Sequence, residues 1–140
     1  MQKLVIDTNI FVSYLISEDG YCFKIVDKLL LTKKVLNCLS DAVLKEYTDV
    51  FNRTRFSKKY PTFNEKSNLL LESLIKFSEI TNPSFAVDKI KDKTDNKFLE
   101  LAYAANADFL ITGNKLHFTF ASFYNTHIVS PREYWETYKP

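Results

Sequence analysis

Short apolar runs alternate with helical stripes along the whole of this chain. Leu4-Val5-Ile6 is continuously apolar and ends in a carboxylate, Asp7; such a run suits a buried strand of a parallel sheet. Asp7-Thr8-Asn9 supplies cap chemistry, so Ile10 to Ile16 reads as a short helix that Gly20 breaks. Phe23, Val26, Lys28, Leu29 and Leu30 continue as a second helix with an apolar face. Lys34 to Leu39 reads as the second strand. Ser40-Asp41 then caps a helix running to about Arg53, with Val43, Tyr47, Val50 and Phe51 on its inner stripe.

A polar, basic loop is expected from there through Pro61. Asn64 to Phe77 is a further amphipathic helix carrying Leu70, Leu71, Leu74 and Ile75, and Glu79-Ile80-Thr81 a short strand. Thr94 is a plausible N-cap for a helix from Asp95 to about Asn106, with Phe98, Leu99, Ala102 and Ala105 facing inward. Asp108 to Thr112 is the strongest strand of the C-terminal half, ending at Gly113-Asn114. His127-Ile128-Val129 leads into Ser130-Pro131-Arg132-Glu133, a capping box with proline at the first helical position. Strands alternating with helices in this way predict an α/β fold, a mostly parallel sheet with helices on both faces.

Composition narrows the class without naming it. The 140 residues are 46% apolar and 26% charged, enough for one globular domain, taken here as residues 1–140. A formal net charge of +2 does not argue for a polyanionic partner, so any such binding must rest on local clusters. Cys22 and Cys38 form no C-x-x-C pair and read as buried thiols in a reducing compartment. The N-terminus meets a charge at Asp7 before a signal-peptide core could form, and no segment approaches a membrane span. These features point to a cytoplasmic protein with no membrane partner.

Three carboxylates stand where strands end or helices begin, the side of such a sheet that binds ligands. Asp7 ends the first strand, Glu46 sits between Val43 and Val50 on the helix after the second, and Asp95 precedes Phe98 and Leu99 by one turn. Each has a plain alternative: Asp7 as a helix cap, Glu46 as a solvated helix residue, Asp95 as a first-turn acid suited to the helix dipole. Asp7 stands apart, because a carboxylate closing a buried apolar strand is costly unless something neutralises it. Converging acids would repel and raise one another's pKa unless a cation held them ionised. Clustered hard oxygen ligands without a His/Cys set select Mg²⁺ or Mn²⁺. Such an ion polarises a phosphate and activates water for in-line attack.

Four segments carry a family resemblance. The run from Leu4 to Phe11 resembles the opening motif of PIN domains. Ser40 to Tyr47 resembles the second acidic motif, with Glu46 as its acid, and Asp95 to Ala102 the third, with Asp95 as its acid. Ala107 to Lys115 is similar to the fourth, and all four come in the family's order. The resemblance implies a Rossmann-like three-layer α/β/α sandwich and metal-dependent cleavage of RNA. It also implies the toxin component of a toxin–antitoxin pair, akin to VapC-type toxins, with an antitoxin partner and a homodimer. By the same resemblance Asp7, Glu46 and Asp95 ligate the metal and orient the attacking water. Where the fourth motif commonly carries Asp after Thr-Gly, this chain has Asn114. Its amide oxygen can still face an ion, but the lost charge weighs against a second metal.

Around these acids, Asn9 and Thr112 are candidates for hydrogen-bonding the carboxylates. Asp92 can compensate for Asn114 or stand as a solvated loop acid, and Glu100 reads as an outer-face helix residue. Asn52 to Tyr60 mixes four cations with two aromatic rings, which suits RNA, single-stranded or structured, as well as an ordinary solvated loop. Lys115 and His117 follow the fourth motif and can face a phosphate; His127 and Trp135 read as structural. Two other functions compete with the nuclease. Asn114 favours a non-catalytic PIN scaffold that binds RNA or a protein. A haloacid-dehalogenase-like phosphatase needs Asp-x-Asp after the first strand, where this chain has Asn9.

Overall fold

Leu4, Val5 and Ile6 are fully buried because their strand is flanked on both sides. The computed structural model describes residues 1–84, 96–114 and 120–140. Strand β1 (Lys3–Ile6) lies inside a six-stranded sheet of order β3-β2-β1-β4-β6-β5. The others are β2 (Leu36–Leu39), β3 (Glu79–Ile80), β4 (Phe109–Ile111), β5 (Ser122–Phe123) and β6 (Thr126–Val129). All neighbours pair in parallel except β5, which returns antiparallel on β6 at the edge.

Helix α1 (Thr8–Ile16) follows β1 directly. Gly20, at φ +93°, turns the chain into α2 (Tyr21–Ile25), a conformation open to glycine and strained for other residues. One wider π-helical turn, Val26–Leu30, extends α2 and buries Val26, Leu29 and Leu30. After β2 come α3 (Asp41–Phe51), α4 (Thr54–Lys59) and α5 (Phe63–Phe77); α6 (Asn96–Ala105) precedes β4. The chain closes with α7 (Pro131–Glu133), extended by a π-helical turn through Tyr138.

Local chemistry accounts for the boundaries. The Ser40 hydroxyl accepts the Val43 N–H at 3.2 Å, fixing the start of α3. Ser130 and Glu133 form the reciprocal capping box expected of their spacing, with Pro131 in the first turn.

The order of strands makes the binding geometry. From β1 the chain steps outward to β2 and β3, then recrosses to place β4 on the other flank of β1. Right-handed crossovers put the helices of these two excursions on opposite faces, which gives the three layers. The direction reverses between β1 and β4, and open α/β sheets bind ligands beyond the C-terminal strand ends at such a reversal. Asp7 and Thr112 are the first residues past those two ends.

Three expectations are corrected, and one strand is added. The basic stretch expected as loop contains α4, whose Phe56 stacks on Phe63 at 5.0 Å and so winds the segment onto the core. Strand β2 begins at Leu36, after a turn that holds Lys33 at φ +63°. Ile75 is 54% exposed, because the buried side of α5 runs through Phe63, Ser67, Leu70 and Leu74. Strand β5 has no periodic signature, since its two residues are held by pairing Ser122 with His127 and Phe123 with Thr126. Both cysteines are free; Cys38 is buried and Cys22 half-buried.

Candidate active site at the ends of β1 and β4

Asp7 is held from three directions. Its N–H donates to the Ile111 carbonyl at 3.0 Å, continuing the β1–β4 ladder, and its carbonyl accepts the Ile10 N–H at 3.0 Å. Its side-chain Oδ2 accepts the Thr112 hydroxyl at 2.7 Å. Asp7 takes the N-cap position of α1, yet its carboxylate makes no capping bond there, so the cap alternative does not hold. The residue is 5% exposed, its carboxylate directed at Thr112 rather than at the helix.

Thr112 connects this acid to the fourth motif. Its hydroxyl, while donating to Asp7, accepts the N–H of Asn114 at 3.0 Å, and its own N–H donates to the Val129 carbonyl at 3.0 Å. The chain from Thr112 to Asn114 is thereby hung from the site and from β6 together. Asn114 is half-buried. Asn9, the other candidate for orienting an acid, is exposed on α1. Thr8 takes that role instead: it is 3% exposed and its hydroxyl donates to Glu46 Oε2.

Glu46 meets Thr8 because α3 is pinned to the end of β1. The buried Tyr47 hydroxyl donates to the Ile6 carbonyl, and its ring meets Phe11 edge-on at 5.1 Å and stacks on Phe51 at 6.1 Å. Burial pushes the Tyr47 phenol well above its ordinary pKa, and the charges of Asp7 and Glu46 push it further. One phenol thus feels both carboxylates. Glu46 is not solvated in the manner of a surface helix residue: its side chain is 18% exposed and its Oε1 lies 2.9 Å from the Lys97 ammonium.

Lys97 comes from the first turn of α6, which Phe98 and Leu99 anchor in the core. Asn96 beside it is 5% exposed. Two bonded chains, Asp7–Thr112–Asn114 and Thr8–Glu46–Lys97, are thus joined where Asp7 precedes Thr8 in the sequence. Asp95, Asp92, Lys115 and His117 lie outside the described residues. Among the described residues no group of three His, Cys, Asp or Glu side chains could by itself hold a metal. Glu100 is half-buried further along α6, His127 is exposed on β6, and Trp135 packs against the core.

The donors that are present suit a hard divalent cation. Asp7 and Glu46 offer carboxylate oxygens, with neither thiolate nor imidazole among the described groups gathered around them, and the Asp7 carboxylate is too buried to rely on water for its charge. One oxygen of Glu46 is already paired with the Lys97 ammonium.

The basic segment offers less than its sequence promised. Phe56 and Tyr60 are half-buried against the core, while the Arg55 guanidinium lies 4.7 Å from the Phe56 ring centre and the Lys59 ammonium 5.6 Å from that of Tyr60. The rings are engaged by the protein, which leaves the cations as the exposed feature of α4.

Thr8, Tyr47 and Lys97 are the site residues that sequence reasoning did not single out. Thr8 was legible only as cap chemistry and Tyr47 only as an apolar stripe position. Lys97 reads as an ordinary helix lysine; its place two positions after Asp95 is the available signal.

Comparison with known proteins agrees with this fold. The PIN domain family model matches residues 3–116. The chain is 36% identical over 116 residues to the uncharacterized protein MJ1680 of Methanocaldococcus jannaschii, covering 81% of this chain and 71% of that protein. In fold it is similar to a chain in the crystal structure of VapBC2 from Rickettsia felis bound to a DNA fragment from its promoter. The TM-score is 0.55 at 19% identity, over 92% of this chain and 98% of the other. PIN domains are generally nucleases. With the family model spanning both strand ends that carry Asp7 and Thr112, this chain belongs to the PIN domain family.

Proposed function

We propose that this protein is a Mg²⁺- or Mn²⁺-dependent endoribonuclease and the toxin of a toxin–antitoxin pair. One observation carries the reading: a buried carboxylate, Asp7, stands at the point where the sheet reverses direction, linked through Thr8 to a second acid, Glu46. Asp7, Glu46 and Asp95 would hold the ion, with Asn114 contributing through its amide oxygen. A bound divalent ion supplies Lewis-acid polarisation of the phosphate and lowers the pKa of water. The chain's own groups orient the ligands: Thr112 fixes one oxygen of Asp7, and Thr8 fixes one of Glu46. Family membership supports a nuclease, and likeness to the VapBC2 chain supports an antitoxin partner and a homodimer.

The test is turnover of an RNA substrate with EDTA and Mn²⁺ controls, comparing wild type with Asp7→Asn. Loss of Mn²⁺-stimulated cleavage in a variant that remains folded is the expected result; cleavage at the wild-type rate rules the mechanism out. Asn114 together with the lysine on Glu46 favours a second reading, a non-catalytic scaffold that binds RNA or a protein partner. That reading expects RNA binding without metal-stimulated cleavage in the wild type.

A further inference from the structure

Lys97 is a cation inside the acidic pocket. Its ammonium lies 2.9 Å from Glu46 Oε1, and the two side chains are only 27% and 18% exposed. Surface pairs of this kind contribute little, because water screens both partners. Here both are largely withdrawn from water, and the Glu46 carboxylate takes its other hydrogen bond from the buried hydroxyl of Thr8. One oxygen of Glu46 is thus held by the protein's neutral scaffold and the other by a movable charge on a four-carbon stem. At Asp7, by comparison, Oδ2 accepts the hydroxyl of Thr112. The acid that α3 brings to the site arrives with its own counter-ion.

We propose that Lys97 is the built-in counter-cation of the resting site, a positioning residue that holds Glu46 and must yield it when a divalent ion binds. This rests on the metal-nuclease reading and adds a regulatory property to it. A divalent ion approaching Glu46 meets an oxygen already neutralised and must displace an ammonium, so its affinity is lowered. The site then fills only above a threshold of free divalent ion. Without the ion, Lys97 relieves the repulsion that Asp7 and Glu46 would otherwise exert on each other, and the empty fold stays stable. Breaking a withdrawn pair by removing one partner is destabilising, because the remaining charge is left without compensation.

The competition gives a sign that a merely structural lysine would not. If Lys97 only propped Glu46 in place, removing it would misplace a ligand and weaken metal binding. As a competitor, its removal strengthens metal binding and weakens the metal-free protein.

The experiment is calorimetric titration of the full chain with MnCl₂, using wild type, Lys97→Met, Lys97→Gln and Lys97→Arg, with melting curves in EDTA. Lys97→Met and Lys97→Gln are expected to bind Mn²⁺ about tenfold more tightly, as loss of a competing unit charge at ion-pair distance requires. Both should melt lower than wild type in EDTA. Lys97→Arg, which keeps the charge, should remain within about twofold of wild type. A measurement on the unaltered protein guards against a variant that fails to fold. Titration with diamagnetic Mg²⁺ should shift the Lys97 side-chain nitrogen resonance as the ion pair opens.

Equal or weaker Mn²⁺ binding by the charge-removing variants, or a Lys97 resonance that Mg²⁺ leaves unmoved, overturns the proposal. The metal reading survives that outcome if wild type binds Mn²⁺ and Asp7→Asn does not. If wild type and the Lys97 variants all fail to bind Mn²⁺, the metal reading and this proposal fall together.

Discussion

The hydroxyl of Thr112 donates to Oδ2 of Asp7 across 2.7 Å of space and 105 positions of sequence. Neither residue is exposed by more than 5%, so the bond is shielded from competing water. Its partners lie just beyond neighbouring parallel strands paired Ile6 to Ile111. The strand register therefore sets the distance between an acid and the group that aims it.

Replacing Thr112 by valine keeps the volume and removes the donor. The expected cost is about 1–3 kcal/mol in urea unfolding, the usual range for leaving a buried polar group without its partner. RNA cleavage should fall further than stability does, and lowering the temperature should not restore it. A variant with wild-type cleavage would show that Asp7 is aimed by other groups.

Tyr47→Phe removes the bond that ties α3 to the Ile6 carbonyl and leaves the aromatic packing on Phe11 and Phe51 in place. Loss of about 1–2 kcal/mol is expected by chemical denaturation. Because Glu46 is the residue before Tyr47, Mn²⁺ affinity should fall in the same variant. Unchanged affinity would separate the helix anchor from the acid's position.

Alkaline pH should weaken the fold. Burial raises the Cys38 thiol from 9.0 to about 12, raises the Tyr134 phenol from 10.0 to about 12, and raises Tyr47 in the same direction. Each group is favoured in its neutral form when folded, and the unfolded chain releases these protons at lower pH. The stability they contribute is complete below pH 9 and declines as pH rises toward 12. Melting temperatures measured from pH 8 upward should fall beyond about pH 9, and Cys38→Ala should flatten the earliest part of that fall.

If RNA lies along α4, its phosphates are what the helix grips, since Phe56 and Tyr60 are turned to the core. Neutralising Arg55, Lys58 and Lys59 together should weaken binding of different RNA sequences alike. The slope of log affinity against log salt should shrink by about 0.7 for each single-strand phosphate left without its cation. A weakening confined to particular sequences would indicate base recognition and contradict the observed ring burial.

What could be read from the sequence follows from how local each signal is. Continuous apolar runs located β1 and β4, and the box at Ser130–Glu133 located α7, because periodicity and capping need only neighbouring residues. Asp7 stood out because its burial cost is implied by the three residues before it. Thr8 and Lys97 did not, since their partner Glu46 is reached through tertiary packing at separations of 38 and 51 positions. Strand β5 was invisible for a related reason: two residues carry no period, and only their partner strand defines them. The choice of Asn9 over Thr8 failed by one position, which on a helix turns a side chain about a quarter of the way around the axis.

Strand β6 lies more than a hundred residues downstream of Asp7, yet its Val129 carbonyl receives the N–H of the threonine that aims this acid. The chain's first and last segments are also joined, by Tyr134 donating to Gln2 and Gln2 donating to the Tyr138 carbonyl. A fragment ending short of β6 would keep the acids of β1 and α3 and lose the flanking strand that steadies Thr112. Such a fragment would lose the orientation of Asp7 before it lost either acid, so the C-terminal segment serves this site as its buttress.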